Sequence, residues 1–223
     1  MELTKSREFF DPSIVMERIH IIGCGAVGST LAEMLARFGF TRITLYDFDR
    51  VKKHNIANQM FIQNDIGKLK TDAVKEMILN INPDAANDLR TVEIGWNNQR
   101  LSGYVFLCVD NIETRKKIVT ANKYNNTIKA IFDIRMRLVD AQHYAADWRK
   151  PDMVKNILAS MDFTHEEALA DTPMSACNVA LSVCPTVRII VANAVANLVN
   201  FIKTGNLKKT IFINAFQFET EAF

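Results

Sequence analysis

Three glycines in Gly23-Cys24-Gly25-Ala26-Val27-Gly28 separate a β-branched apolar stretch, Arg18 to Ile22, from a helix-patterned one, Ala26 to Phe38. This strand, glycine loop and helix, in that order, constrain the fold more than any other feature of the chain. Gly23 permits a tight turn, Gly25 lets the backbone approach a phosphate, and Gly28 lets helix and strand pack closely. The helix start presents free N–H groups and the positive end of its dipole to an anion. Asp47 follows at the end of the next apolar stretch, Arg42 to Tyr46, where a carboxylate can accept both hydroxyls of a ribose. Together these predict nucleotide binding and leave open which nucleotide.

The alternation continues. The pattern predicts a helix over Lys68 to Leu79, ended by Asn80, Asn82 and Pro83, and strands over Leu89 to Ile94 and Tyr104 to Val109. It then predicts a helix over Thr114 to Lys123 and a strand over Thr127 to Ile134. Arg137 to Ala145 alternates weakly, as an antiparallel strand would. Trp148 to Ala170 is charged and reads as surface helix. Ser175 to Lys203 is mostly helical, with Pro185 breaking or starting a segment, and Lys209 to Phe218 reads as one closing strand. The expected fold is α/β, a Rossmann-like, doubly wound, mostly parallel sheet with antiparallel C-terminal strands. With 48% hydrophobic and 23% charged residues, 223 residues supply one full core, and 1–223 reads as a single domain.

The polar, basic segment between Asp47 and the next helix separates an ATP user from a nicotinamide-dependent oxidoreductase. Its amides and lysines suit a triphosphate, which needs several donors. Lys70, at the start of that helix, can reach a β- or γ-phosphate as a point charge. The bland reading of Lys68 and Lys70 is a solvated helix start. Asp110 directly follows the Tyr104 to Val109 strand, and ligands of open α/β sheets sit beyond the carboxyl ends of strands. As a hard oxygen ligand it suits Mg²⁺ bridging phosphates; its competing role is an N-cap for the following helix.

The chain resembles the ThiF/MoeB/HesA family, bacterial relatives of the ubiquitin-activating enzymes. The matching pieces are GCGAVG, Asp47-Phe48-Asp49 with Val51, Asn55-Ile56-Ala57-Asn58-Gln59, Asp65-Ile66-Gly67 with Lys70, and Asp110-Asn111 with Arg115, all within residues 18 to 135. The resemblance implies an ATP-dependent adenylyltransferase. It would activate a carboxylate, commonly the C-terminal glycine of a small ubiquitin-like or sulfur-carrier protein, as an acyl-adenylate. It also implies a homodimer. By this likeness Asp47 holds the ribose, Asp49 belongs to the same binding set, Asn55, Gln59 and Lys70 contact phosphates, and Asp110 holds Mg²⁺. Asn58 stands where the family has arginine, and the family's paired C-x-x-C zinc ligands are absent. Those departures favour, as the alternative, a weakened module of the same fold that only binds nucleotide. Arg7 is the candidate for an arginine that the family's other subunit often supplies.

Of the four cysteines, Cys24 and Cys108 lie in strand-like context and read as reduced core residues. Cys177 and Cys184 are the candidates for a thioester or persulfide step, Cys184 because a helix start and Arg188 would lower its pKa. His54 falls in the phosphate segment, and His165 reads as exposed. A net charge of +2 gives no case for a nucleic-acid or membrane-surface partner. The mixed-charge start has no apolar leader-like run, and with the cysteine usage this suggests a cytoplasmic protein. Val187 to Lys203 is long and apolar, but Asn193, Asn197 and Asn200 stripe it, so it reads as a buried helix with one amide-lined face rather than a membrane span.

Overall fold

The computed structural model describes residues 1–176 and 180–223. The chain runs β1 (Ile19–Ile22), α1 (Ala26–Arg37), β2 (Ile43–Tyr46), α2 (Lys70–Ile81), β3 (Arg90–Val92), β4 (Gly103–Leu107) and α3 (Ile112–Ala121). It continues through β5 (Ile128–Arg137), β6 (Asp140–Asp147), α4 (Pro151–Ala159), α5 (His165–Ala170), α6 (Cys184–Thr204), β7 (Thr210–Asn214) and β8 (Glu219–Ala222). All eight strands form one sheet in the order β3-β2-β1-β4-β5-β6-β7-β8. The pairs β2–β3, β1–β2, β1–β4 and β4–β5 are parallel, and those from β5–β6 onward are antiparallel. The expected architecture is the one observed.

The central parallel strands β1, β2 and β4 are buried on both faces, which is why they read as continuous apolar runs. One face packs on α1, α2 and α6, through residues such as Leu31, Leu35, Val74, Ile190 and Leu198. The other carries α3 and α4, through Ile118, Val119, Met153 and Ile157. The strand order reverses at β1, flanked by β2 and β4. The carboxyl ends of β1 and β4 therefore border the crevice where such sheets take ligands.

Three expectations in the C-terminal half are corrected. Arg137 belongs to β5, not to the strand after it. It pairs with Asp140 across a two-residue turn, Leu138-Val139, that contains no turn-forming residue. Contacts from outside hold that turn: Thr186 donates to the Leu138 carbonyl (2.7 Å) and Ala215 N–H to that of Val139 (2.9 Å). Second, the closing strand is a hairpin. Asn214 Oδ1 accepts from Phe216 and Gln217 N–H and turns the chain into β8, with Phe218 at φ +60°. Third, Trp148 to Ala170 is not mere surface, since Trp148, Met153, Val154, Ile157 and Met161 are buried against the sheet. The mostly helical segment expected over Ser175 to Lys203 is α6, which begins at Cys184 with Pro185 in its first turn. Before it, Met174 bridges Ala180 and Pro173 accepts from Leu181 N–H (2.8 Å).

α6 is long and apolar enough to cross a membrane by composition, yet more than half of its apolar window is buried inside the protein. Its asparagines do not form one functional stripe. Asn200 is exposed and Asn193 half-buried, whereas Asn197 is buried. Asn197 accepts from Lys208 N–H, donates to the Lys208 carbonyl (both 2.9 Å) and lies 3.0 Å from His143 Nε2. It fastens the α6–β7 connection.

Candidate functional site

The glycine loop is shaped by what surrounds it. Gly23 takes φ +98°, and a Cβ there would lie 2.8 Å from the Cys108 carbonyl carbon and oxygen. The loop after β1 thus rests on the loop after β4, main chain against main chain. A Cβ on Gly28 would sit 1.8 Å from the Gly23 carbonyl oxygen, so the first turn of α1 closes onto its own entry. Gly25 differs: a Cβ there would meet nothing within 4 Å. No side chain caps α1, so its leading N–H groups, which lack partners within the helix, are not satisfied by a capping side chain. Such a surface accepts an anion approaching the backbone.

Asp47 lies just beyond β2. Its Oδ2 accepts from Cys24 N–H (2.7 Å) and its Oδ1 from Asp49 N–H (2.8 Å). The carboxylate therefore buckles the glycine loop to the following segment, and each oxygen keeps a lone pair for a further donor. Asp49 is exposed and pairs with Lys70 Nζ (2.7 Å), whose side chain is only 10% exposed. Backbone bonds from Lys70 to Asp49 and between Val51, Gly67 and Lys68 close residues 51–68 into a loop. Lys70 is thus brought to the site edge as half of an ion pair. Lys68 is turned outward to Asp65 and Glu76, as a solvated helix start would have it.

Inside the loop, Asn55 is buried and accepts from Lys52 N–H (2.8 Å). Gln59 Oε1 is buried without a hydrogen-bond partner among the described residues. Asn58 donates to Ser182 Oγ (2.8 Å), tying this segment to the stretch before α6. Met60 N–H donates to Ser29 Oγ on α1 (3.1 Å). His54 is exposed, and His165 is half-buried rather than exposed.

Asp110 is exposed, and its side chain has no partner among the described residues. It does not cap α3. Asn111 does, accepting from Thr114 N–H (2.8 Å). A free carboxylate beside an open glycine loop has the chemistry that suits Mg²⁺, which takes one or two carboxylates and completes its shell with phosphate oxygens and water. No group of three or more His, Cys, Asp or Glu suited to a dedicated metal cage occurs among the described residues.

Sequence reasoning did not foresee the carboxylate beneath this loop. Asp133 on β5 is fully buried and meets Arg115, itself buried, and Arg135 Nε (2.7 Å). An aspartate in an apolar strand two residues before an arginine was the available signal. Cys24 and Cys108 are buried, and burial pushes the Cys108 thiol up to about 12 and raises that of Cys24, with Asp47 adding to the latter. Both are inert core thiols, as expected. Cys184 is half-buried in the first turn of α6, and Cys177 lies outside the described residues. Arg7 is exposed beside Asp11. Two small concavities, of about 140 and 310 Å³, lie elsewhere, between α4 and the β6–β7 edge and between α1, α6 and Phe9.

A glycine loop opening a helix at the switch point of a doubly wound sheet, with acids at neighbouring strand ends, defines a Rossmann-type α/β protein. Within that class the chain belongs to the ThiF family, whose model matches residues 12–221. It is 32% identical over 125 residues to ubiquitin-like modifier-activating enzyme 5 of Caenorhabditis briggsae, covering 49% of this chain and 29% of that protein. It is 35% identical over 113 residues to tRNA threonylcarbamoyladenosine dehydratase of Haemophilus influenzae, covering 48% of this chain and 43% of that one. The chain thus spans less than half the length of these relatives. Among solved structures, PaaA aligns with a TM-score of 0.67 at 16% identity, covering 93% of this chain and 64% of that chain. Escherichia coli MccB with ATP aligns with a TM-score of 0.66 at 20% identity, covering 93% and 63%. These two share the fold.

Proposed function

We propose that this chain is the nucleotide-binding core of an ATP-dependent adenylyltransferase, which activates a carboxylate as an acyl-adenylate. The observation that carries the reading is the meeting of the Gly25 opening and the unpartnered Asp110 carboxylate at one switch point. Family membership supports it, as do relatives named for activating ubiquitin-like modifiers. MccB, which has the same fold, has been solved with ATP and with its MccA peptide. The carboxylate in this reading belongs to a small ubiquitin-like or sulfur-carrier protein or to a peptide, and the protein acts as a cytoplasmic homodimer.

In this scheme the uncapped start of α1 and the Gly25 backbone receive the triphosphate, and Asp47 receives the ribose hydroxyls. Gln59 and Asn55 line the phosphate side, where their amide NH2 groups would be the donors. Lys70 supplies positive charge there once a phosphate competes with Asp49 for its ammonium group. Asp110 would hold Mg²⁺, whose contribution is to neutralise phosphate charge. A carboxylate oxygen attacks the α-phosphorus, the bond from that phosphorus to the β-phosphate bridging oxygen breaks, and pyrophosphate leaves. Such a transfer needs alignment and charge neutralisation more than a protein nucleophile. A thioester or persulfide on Cys184 would be a later and separate step.

Isotope exchange between pyrophosphate and ATP, run with candidate carrier proteins, tests the reading. Exchange that needs both Mg²⁺ and a carrier with a free C-terminus supports it. Asp110→Ala should weaken Mg²⁺-dependent ATP binding by about tenfold or more, with stability nearly unchanged because Asn111 is the cap. The second reading, a module that binds nucleotide without turning it over, is favoured by one observation. Asn58 engages Ser182 where the family has an arginine. ATP binding by calorimetry with no exchange under any carrier would select it, and NAD⁺ binding without ATP binding would overturn both.

A further inference from the structure

The loop that carries Asp110 has no side-chain tether of its own, yet it is held. Arg115 Nη1 donates to the Leu107 carbonyl (2.9 Å), and its Nη2 donates to the Val109 carbonyl. One guanidinium thus gathers the main chain on both sides of Cys108, immediately before Asp110. Arg115 is itself fixed by the Asp133 carboxylate, which lies opposite Leu107 in the β4–β5 register and is fully buried. The other Asp133 oxygen accepts from Arg135 Nε, and Arg135 Nη1 donates to the Ser160 carbonyl (2.7 Å) at the end of α4. Arg135 also lies over the Tyr144 ring, 4.6 Å from its centre.

The geometry points to Asp133 and Arg115 as positioning residues for Asp110. The inference rests on the proposed role of Asp110 and deepens it. A forked guanidinium can satisfy two carbonyls and a carboxylate at once, and an ammonium group cannot hold the three in that plane. On the far side, Asn111 caps α3, so Asp110 sits between two fixed points.

The test compares Arg115→Lys with Arg149→Lys, a control in the Asp147–Arg149 pair at the end of β6. Hydrogen exchange of the amides of residues 108–112 is followed without nucleotide, and ATP affinity is then measured with and without Mg²⁺. In Arg115→Lys, exchange in 108–112 should quicken by about tenfold while amides of β1 and α6 keep wild-type rates. The gain in ATP affinity on adding Mg²⁺ should shrink by about tenfold, with Mg²⁺-free affinity unchanged. Arg149→Lys should match wild type in both readouts. Unchanged exchange in 108–112 would overturn the inference, and so would equal quickening across the molecule or equal loss of affinity with and without Mg²⁺. If Asp133→Asn does not fold, Arg115→Lys still decides the matter. A wild-type protein whose ATP affinity ignores Mg²⁺ would instead remove Asp110 from the proposed function, and it is a separate result because the exchange arm uses no nucleotide.

Discussion

The two halves of the sheet treat their polar groups in opposite ways. In the parallel half, polar atoms at the carboxyl edge are left open: the leading N–H groups of α1, Asp110 and the buried end of Gln59. In the antiparallel half most buried polar groups bond to one another, although His143 Nδ1 is left without a partner among the described residues. Asn197 secures Lys208 and meets His143, which stacks on Phe132, and Asp147 holds Arg149. The first half thus leaves open the groups that the proposed function assigns to a ligand, and the second uses polarity to fix its own turns. A lone unpartnered atom does not mark a site, since Thr71 Oγ1, Asn82 Oδ1 and His143 Nδ1 also lack partners among the described residues; several gathered at one crevice do.

Substitutions that should behave oppositely sharpen that contrast. The largest effect belongs to Gly28→Val. Its side chain would strike the Gly23 carbonyl, and the variant should lose more than about 3 kcal/mol or fail to fold. Gly25→Ala, in open space, should cost about 1 kcal/mol or less while ATP affinity falls. Urea melts paired with ATP titration would break the contrast if the two variants behaved alike.

Next in size is a pH effect. Burial lowers the pKa of both His20 and His143 to about 4. Each is neutral in the folded protein and gains a proton on unfolding below about pH 6.5. The stability these groups confer is whole above pH 6.5 and is lost as pH falls toward 4, by about 3 kcal/mol for each. The fall in urea midpoint from pH 7 to pH 4 should be shallower in His143→Gln than in wild type. Identical slopes would mean that His143 is not buried neutral.

A smaller effect separates two asparagines on one helix. Asn197→Ala should destabilise by about 2 kcal/mol, since it strands the Lys208 amide and carbonyl. Asn193→Ala, half-buried and bonded only within its helix, should stay within about 0.5 kcal/mol. The smallest is Lys68→Ala, expected to shift stability by less than about 0.5 kcal/mol and to spare ATP binding. Lys70→Ala should reduce pyrophosphate exchange. Equal losses from the two lysines would remove the distinction that their partners draw.

The same division decides what could be read in advance. β1, β2, β4 and α1 were legible because strands buried on both faces are continuous apolar runs and the glycine loop marks the boundary. β5 and β6 were legible as strands, but neither the turn between them nor the final hairpin was. Their turns carry no glycine or proline: Leu138-Val139 is held by Thr186 and Ala215, and the last turn is made by one asparagine side chain. Information about those turns sits far away in sequence, or in a side chain that looks like any strand residue. In the site, Asp47, Asp110 and the glycines were visible by position. The pairing of Lys70 with Asp49 and the Arg115–Asp133–Arg135 chain depend on which strands become neighbours, and no local pattern encodes that.

The contact of Gly23 with Cys108 has a consequence for how such a chain can drift. No side chain lies between the two loops that border the crevice, so their spacing is a property of the main chain. Residues such as Cys24 and Val109 can change while the crevice keeps its width, provided Gly23 stays. A fold whose central cleft is cast in backbone can therefore persist long after its sequence has scattered, as the neighbours at 16% and 20% identity illustrate.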